Sequence, residues 1–142
     1  MKKKILIVTA QYYPEISKNL KKKAFVFLKT KIKKSGGKID QIDVPGVFEI
    51  PVVISKNIKN YDAFVALGCV IKGKTSHFEL ITKSVSDGLM NLSIINKKPI
   101  GNGIIACSSK KQALERSSIK KIFKNKGYES AKAIYELLKV FY

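Results

Sequence analysis

The chain contains one histidine, His77, in the run GCVIKGKTSHFELI, and one arginine, Arg116, in KKQALERSS. Of 28 Lys plus Arg residues, all but that one are lysine. Imidazole is the side-chain type that ordinarily exchanges protons near neutral pH, so His77 is the candidate for proton transfer. A guanidinium offers a rigid, planar fork of donors that lysine cannot copy, and that fork suits phosphate and carboxylate. Proton chemistry on an anionic substrate would fall first to these two residues.

The eight residues before Ser76, GCVIKGKT, match the phosphate-loop pattern GxxxxGK[ST] and fall between an expected strand and an expected helix. Nucleotide hydrolysis also needs an acidic residue at the end of another strand to hold magnesium. Downstream, Glu79, Asp87, Glu115, Glu129 and Glu136 all fall on expected helices, and upstream Asp40 and Asp43 lie in an alternating strand. Val70 and Ile71 are β-branched and fit poorly at the positive-φ positions of a phosphate cradle. What survives is a simpler device: backbone N–H groups of residues 73–76 at a helix N-terminus, which seat an anion.

Step back from these residues and the chain alternates β runs with helical spacing. Strands are expected at 4–10, 38–44, 63–71 and 99–107. Helices are expected at 15–34, 49–59, 76–91, 110–117 and 128–139. Ser76 followed by Glu79 reads as a capping box, and Gly36-Gly37 as a helix stop. Asn125-Lys126-Gly127 stands at the entry to the last helix, where it also works as plain capping. Strands alternating with helices at this spacing form right-handed βαβ units and a parallel sheet covered on both faces. Ligands of such sheets bind at the carboxyl ends of the strands. TAQYY, PGVFE, GCVIKGKTSH and ACSS end there, which places Tyr12 and His77 on the functional edge. The length suits one domain spanning 1–142, without internal repeat or linker.

The net charge of +18 raises the question of nucleic acid. The lysines are spread along the whole chain, and arginine, the usual reader of base edges, is nearly absent. No specific nucleic-acid partner is expected, only nonspecific adhesion at low salt. No apolar stretch approaches the roughly 18 residues of a membrane span, so no membrane partner is expected either. The basic start MKKKILIVTA reads as a first strand and not as a signal peptide. Cys69 and Cys107 lie far apart, form no CxxC, and are expected to be reduced thiols in a cytoplasmic protein.

Taken in order and spacing, PGVFEIP, ALGCVIKGKTSHFELI, KPIGNGIIACSSKKQALER and NKGYESAKAIYE resemble the lumazine synthase family, from Ile5 to about Leu138. The resemblance implies a transferase of riboflavin biosynthesis. It would condense 5-amino-6-(D-ribitylamino)uracil with 3,4-dihydroxy-2-butanone 4-phosphate to give 6,7-dimethyl-8-ribityllumazine, phosphate and water. It implies a flavodoxin-like three-layer α/β/α sandwich with a four-stranded parallel sheet. It also implies active sites between neighbouring subunits of a homopentamer, and no metal or organic cofactor. The alternative within the same fold is a non-catalytic flavin- or lumazine-binding protein.

Residue by residue, the resemblance gives His77 the proton transfers and Arg116 the phosphate. Lys74 and Thr75 fall where the family seats the same phosphate, Lys74 replacing the usual alanine. Tyr12 takes the position that stacks on the pyrimidine. Val47, Phe48 and Glu49 match the segment at the ribityl chain, with Glu49 accepting its hydroxyls. Cys69, Val70 and Ile71 present backbone groups to the uracil edge, and Cys69 is not expected to act as a nucleophile. Lys126 and Glu129 match a pair near the phosphate end. Asn102 stands where many members carry a second aromatic, so hydrogen bonding would replace stacking there. The acidic residue often found near Cys107–Ser109 is absent. The stretch from Arg116 to Lys126 is slightly longer than in members that build closed shells. The chain also starts at the first core strand. These last two features and the charge favour a free pentamer over a shell.

Overall fold

The computed structural model describes residues 2–74 and 76–142. β1 (Lys4–Ala10), β2 (Lys38–Val44), β3 (Ala63–Ile71) and β4 (Ile100–Cys107) form one parallel sheet in the order β2-β1-β3-β4. The helices are α1 (Pro14–Ile32), α2 (Ile50–Lys56), α3 (His77–Asn96), α4 (Lys110–Arg116) and α5 (Lys126–Phe141). Every residue of β1 after Lys4 is buried, as are the first seven of β3, which is why both read as continuous apolar runs. Alternation along these strands sends Ile5, Ile7, Val65 and Leu67 toward α1 and α5. It sends Leu6, Val8, Phe64 and Ala66 toward α2 and α3. The result is a three-layer α/β/α sandwich of flavodoxin-like architecture.

α1 shows how the pattern becomes packing. Ile16, Leu20, Ala24, Leu28 and Ile32 recur every fourth residue, and all are buried against the sheet and α5. Each large aliphatic side chain buried this way contributes roughly 1.5–3 kcal/mol. A 3₁₀ turn (Lys33–Ser35) extends the helix until Gly36, at φ 79°, turns the chain toward β2.

Several boundaries differ from the expected ones: α2 ends at Lys56 and not at 59, α5 spans Lys126–Phe141 and not 128–139, and α3 differs at both ends. The capping box at Ser76 does not form: Ser76 has φ −75° and ψ 2°, not the extended backbone that aims an N-cap oxygen at the next turn. Glu79 pairs instead with Lys72, at 3.4 Å. α3 also runs past residue 91 to Asn96, because no breaker occurs before Lys97 (φ 56°) and Pro99. At the last helix the expectation holds, since the Asn125 side chain accepts from the Tyr128 N–H at 3.0 Å. No helix among the described residues is long and apolar enough to cross a membrane.

Polar contacts seal the amino edge of the sheet, opposite the functional edge. The Lys4 N–H donates to Asp62 Oδ2 at 2.8 Å, and the Tyr61 hydroxyl donates to Asp40 Oδ2 at 2.6 Å. The hydrogen bond to the Asp40 carboxylate, then burial, push the Tyr61 phenol up to about 12 from its ordinary 10.0. The raised value holds only in the folded state. The stabilisation is therefore complete below about pH 10 and is lost as pH rises through about 12. Urea midpoints measured across that range should fall more steeply for the wild type than for Tyr61→Phe; parallel curves would remove Tyr61 from the alkaline transition.

Candidate active site

Three strand ends meet where the strand order reverses. The chain leaves β1 through Tyr12 and Tyr13, leaves β2 through Gly46, Val47 and Phe48, and leaves β3 through Cys69, Val70 and Ile71. These residues, with His77 and Ile81 of α3, line a cavity of about 250 Å³. It lies between the carboxyl ends of β1 and β3, the switch point at which open α/β sheets bind ligands.

Each wall has a local cause. Tyr12 and Tyr13 meet edge to face, with centroids 5.0 Å apart at 78°. The Ser17 hydroxyl donates to the Ala10 carbonyl and ties the start of α1 to the end of β1. Val47–Glu49 forms a 3₁₀ turn, held by Glu49 Oε1 accepting from the Gly46 N–H at 2.9 Å. Gly68 leaves room for Val47: a Cβ there would stand 2.6 Å from Val47 Cγ1 and 3.1 Å from Ala10 Cβ. His77 is the first residue of α3, beside N–H groups that have no intrahelical acceptor.

Two groups of the lining, Cys69 and Tyr13, stay protonated at neutral pH. Burial, reinforced by the adjacent Cys107 thiol, pushes Cys69 up to about 12, so it is not a thiolate nucleophile. Burial also raises Tyr13, with Cys69, Tyr12 and Cys107 adding to the effect. Among the described residues no group of three His, Cys, Asp or Glu side chains is placed to hold a metal ion.

The phosphate-loop match dissolves in this geometry. Val70 and Ile71 belong to β3 and pair with Ala106 and Cys107 of β4, so half of the matched letters are strand.

Of the residues singled out in the sequence, Tyr12, Val47, Phe48, Cys69, Val70, Ile71 and His77 share the cavity. Asn102 does not enter it. It lies in a neighbouring groove of about 100 Å³ between β4 and α3, and Val47 and Val70 line both. The Asn102 side-chain Oδ1 accepts from the Ile104 N–H at 3.1 Å. Glu49 lines neither and acts as the clamp on the Val47 turn. Lys74 is exposed on the loop and lines neither. Thr75 lies outside the described residues. Arg116, Lys126 and Glu129 are brought together elsewhere, in a concavity shared with Glu115 and Lys124. Lys126 and Glu129 form an ion pair there, at 3.8 Å. Among the described residues, the His77 cavity and the Arg116 concavity are separate.

Three cavity residues were not anticipated: Tyr13, Gly46 and Ile81. Ile81 was within reach, since it follows His77 by one helical turn and shares its face. Asn125 was anticipated only as a cap. It is fully buried, and its amide also donates to the carbonyls of Ser118 (3.1 Å) and Asn19 (3.4 Å). One side chain thus starts α5 and pins the Arg116–Lys126 connection to α1.

The fold and cavity define an α/β enzyme of flavodoxin-like architecture, with its site at the switch point and a separate cationic concavity. A family model described as 6,7-dimethyl-8-ribityllumazine synthase matches residues 2–141. A 6,7-dimethyl-8-ribityllumazine synthase of Bartonella tribocorum is 41% identical over 138 residues, covering 94% of this chain and 87% of the relative. The 6,7-dimethyl-8-ribityllumazine synthase 1 of Rhodopseudomonas palustris is 37% identical over 144 residues, covering 96% and 85%. That of Corynebacterium efficiens is 35% identical over 127 residues, covering 89% and 77%. The chain belongs to the 6,7-dimethyl-8-ribityllumazine synthase family.

Loss of the Asn125 amide removes a cap and leaves two half-buried carbonyls without that donor. Asn125→Ala should lower stability by about 1–3 kcal/mol in urea denaturation. Hydrogen exchange should quicken in the 116–125 connection before it does in β1; protection unchanged there would mean that the side chain does not pin the loop.

Proposed function

We propose that this chain condenses 5-amino-6-(D-ribitylamino)uracil with 3,4-dihydroxy-2-butanone 4-phosphate, in a site completed between two copies of a homopentamer. The products are 6,7-dimethyl-8-ribityllumazine, phosphate and water. The observation that carries this reading is the switch-point cavity, where an aromatic wall, a strand edge and the only histidine face one another. Tyr12 and Phe48 hold the flat pyrimidine by stacking. Backbone groups of Cys69, Val70 and Ile71 meet the uracil edge. Glu49, already fixed by Gly46, accepts ribityl hydroxyls through its second oxygen, and Asn102 adds hydrogen bonds from the adjoining groove. His77 moves the protons: off the attacking amines, onto the two carbonyl oxygens that leave as water, and off the carbon next to the phosphate-bearing one as the phosphate leaves. Arg116, with the turn at Lys74 and Thr75, holds the phosphate, and Lys126 and Glu129 frame the same end. The work needs no metal and takes place in the cytoplasm with Cys69 and Cys107 as free thiols.

Two features favour assembly. His77 and Arg116 occupy separate concavities of one chain, yet the reaction needs both. α3 buries only Val85 and Leu89 of its 20 residues and exposes Leu80, Met90, Ile94 and Ile95. An apolar face of that kind on a soluble subunit marks an interface. A head-to-tail contact that closes into a ring brings the His77 cavity of one copy to the Arg116 concavity of the next.

Mixing the two substrates with the protein should generate the fluorescence of the lumazine product. Tight riboflavin binding without product would instead make the chain a non-catalytic binding module. His77→Ala should lower kcat by roughly 10²-fold. Arg116→Lys should raise KM for the butanone phosphate by roughly tenfold, because lysine cannot make the bidentate contact. Co-expression of inactive His77→Ala and Arg116→Ala chains tests the shared site. Random assembly across a heterologous interface restores about one quarter of wild-type activity, whereas a site within one chain restores none.

A further inference from the structure

Beside the Arg116 concavity runs a second groove, of about 660 Å³, lined by Lys110, Lys111, Lys121 and Lys124 with Leu114, Glu115 and Ser118. We propose that this groove is an anion-collecting surface that draws the phosphate-bearing substrate toward Arg116; the inference rests on the reaction proposed above. The two concavities share Glu115 and Lys124, so the cationic path is continuous.

The charge here is concentrated, with four lysines around one groove that holds a single carboxylate, Glu115. Lys21, Lys38, Lys72, Lys83, Lys126 and Lys139 each have a carboxylate within ion-pair distance. Among the described residues, none of the four groove lysines does. Four like charges around one concavity repel one another, and a bound anion relieves that repulsion. The backbone that carries these lysines is anchored at both ends. Ser109 caps α4 by accepting from the Gln112 N–H, and the Gln112 side chain accepts from the Ser108 N–H. Asn125 fixes the far end of the connection through Ser118.

Only one of the two substrates responds to such a field. A phosphate monoester carries about −1.5 to −2 charges at neutral pH, whereas ribitylaminouracil carries none. The attraction acts over roughly 10 Å at 0.1 M salt and fades at higher ionic strength.

The test is Lys110→Gln/Lys111→Gln/Lys121→Gln/Lys124→Gln, with circular dichroism to verify the fold and single variants in reserve. At low salt the KM for the butanone phosphate should rise roughly 3- to 10-fold, while the KM for ribitylaminouracil stays unchanged. Wild-type and variant curves should converge as salt is raised. Binding of inorganic phosphate at low salt, measured by calorimetry, should weaken by a similar factor without any need for turnover. If wild-type protein makes lumazine and the variant keeps both its phosphate KM and its phosphate affinity, the groove has no such role. If no lumazine forms but the variant still loses phosphate affinity, the proposed reaction fails and the anion surface stands.

Discussion

β1 is hydrogen-bonded to β2 on one side and to β3 on the other, and the chain reaches those neighbours across opposite faces. α1 crosses on the face it shares with α5, and α2 crosses on the face it shares with α3. The connections leaving β1 and β3 therefore diverge at the carboxyl edge, and neither fills the space between them. Everything that lines the cavity depends on this divergence. Tyr12 and Tyr13 form one side, Cys69 to Ile71 the other, and Val47 sits in the gap that Gly68 leaves. Strand register matters equally. A slip of one residue between β1 and β3 would exchange the two faces of a strand packed on both, and would cost both cores.

Much of this was legible because the strongest signals concern burial on two faces. β1 and β3 are apolar runs bounded by polar loops, and the every-fourth-residue stripe of α1 has no competing period. From the topology alone, Tyr12 and His77 fall on the functional edge. Signals that depend on a few torsions read less well. Ser76 and Glu79 have the spacing of a capping box, but a near-zero ψ at Ser76 turns its hydroxyl from the helix, and Lys72 takes Glu79. GCVIKGKT has the letters of a phosphate loop, but pairing with β4 keeps half of it as strand. α3 was read short because its outer face mixes lysine and aspartate with leucine, methionine and isoleucine. That pattern hides both where the helix ends and what would cover it. The separation of Arg116 from His77 was beyond sequence spacing altogether, since it depends on which side of the sheet α3 and α4 pack.

That separation follows from the chemistry each region must do. The switch-point cavity has aromatic and aliphatic walls and neutral thiol and phenol groups. Such a surface suits a planar, uncharged heterocycle, but moving a phosphate into it would strip water from nearly two charges without adequate return. The cationic concavity has the opposite character, with an exposed Arg116 and a half-buried Lys126 beside Glu115 and Glu129. One small sheet edge cannot be apolar and cationic at the same point. Distributing the two environments over different elements resolves the conflict within the chain and leaves the substrates apart. In the proposed ring the neighbouring copy closes that distance, so the interface supplies the proximity that the single fold cannot.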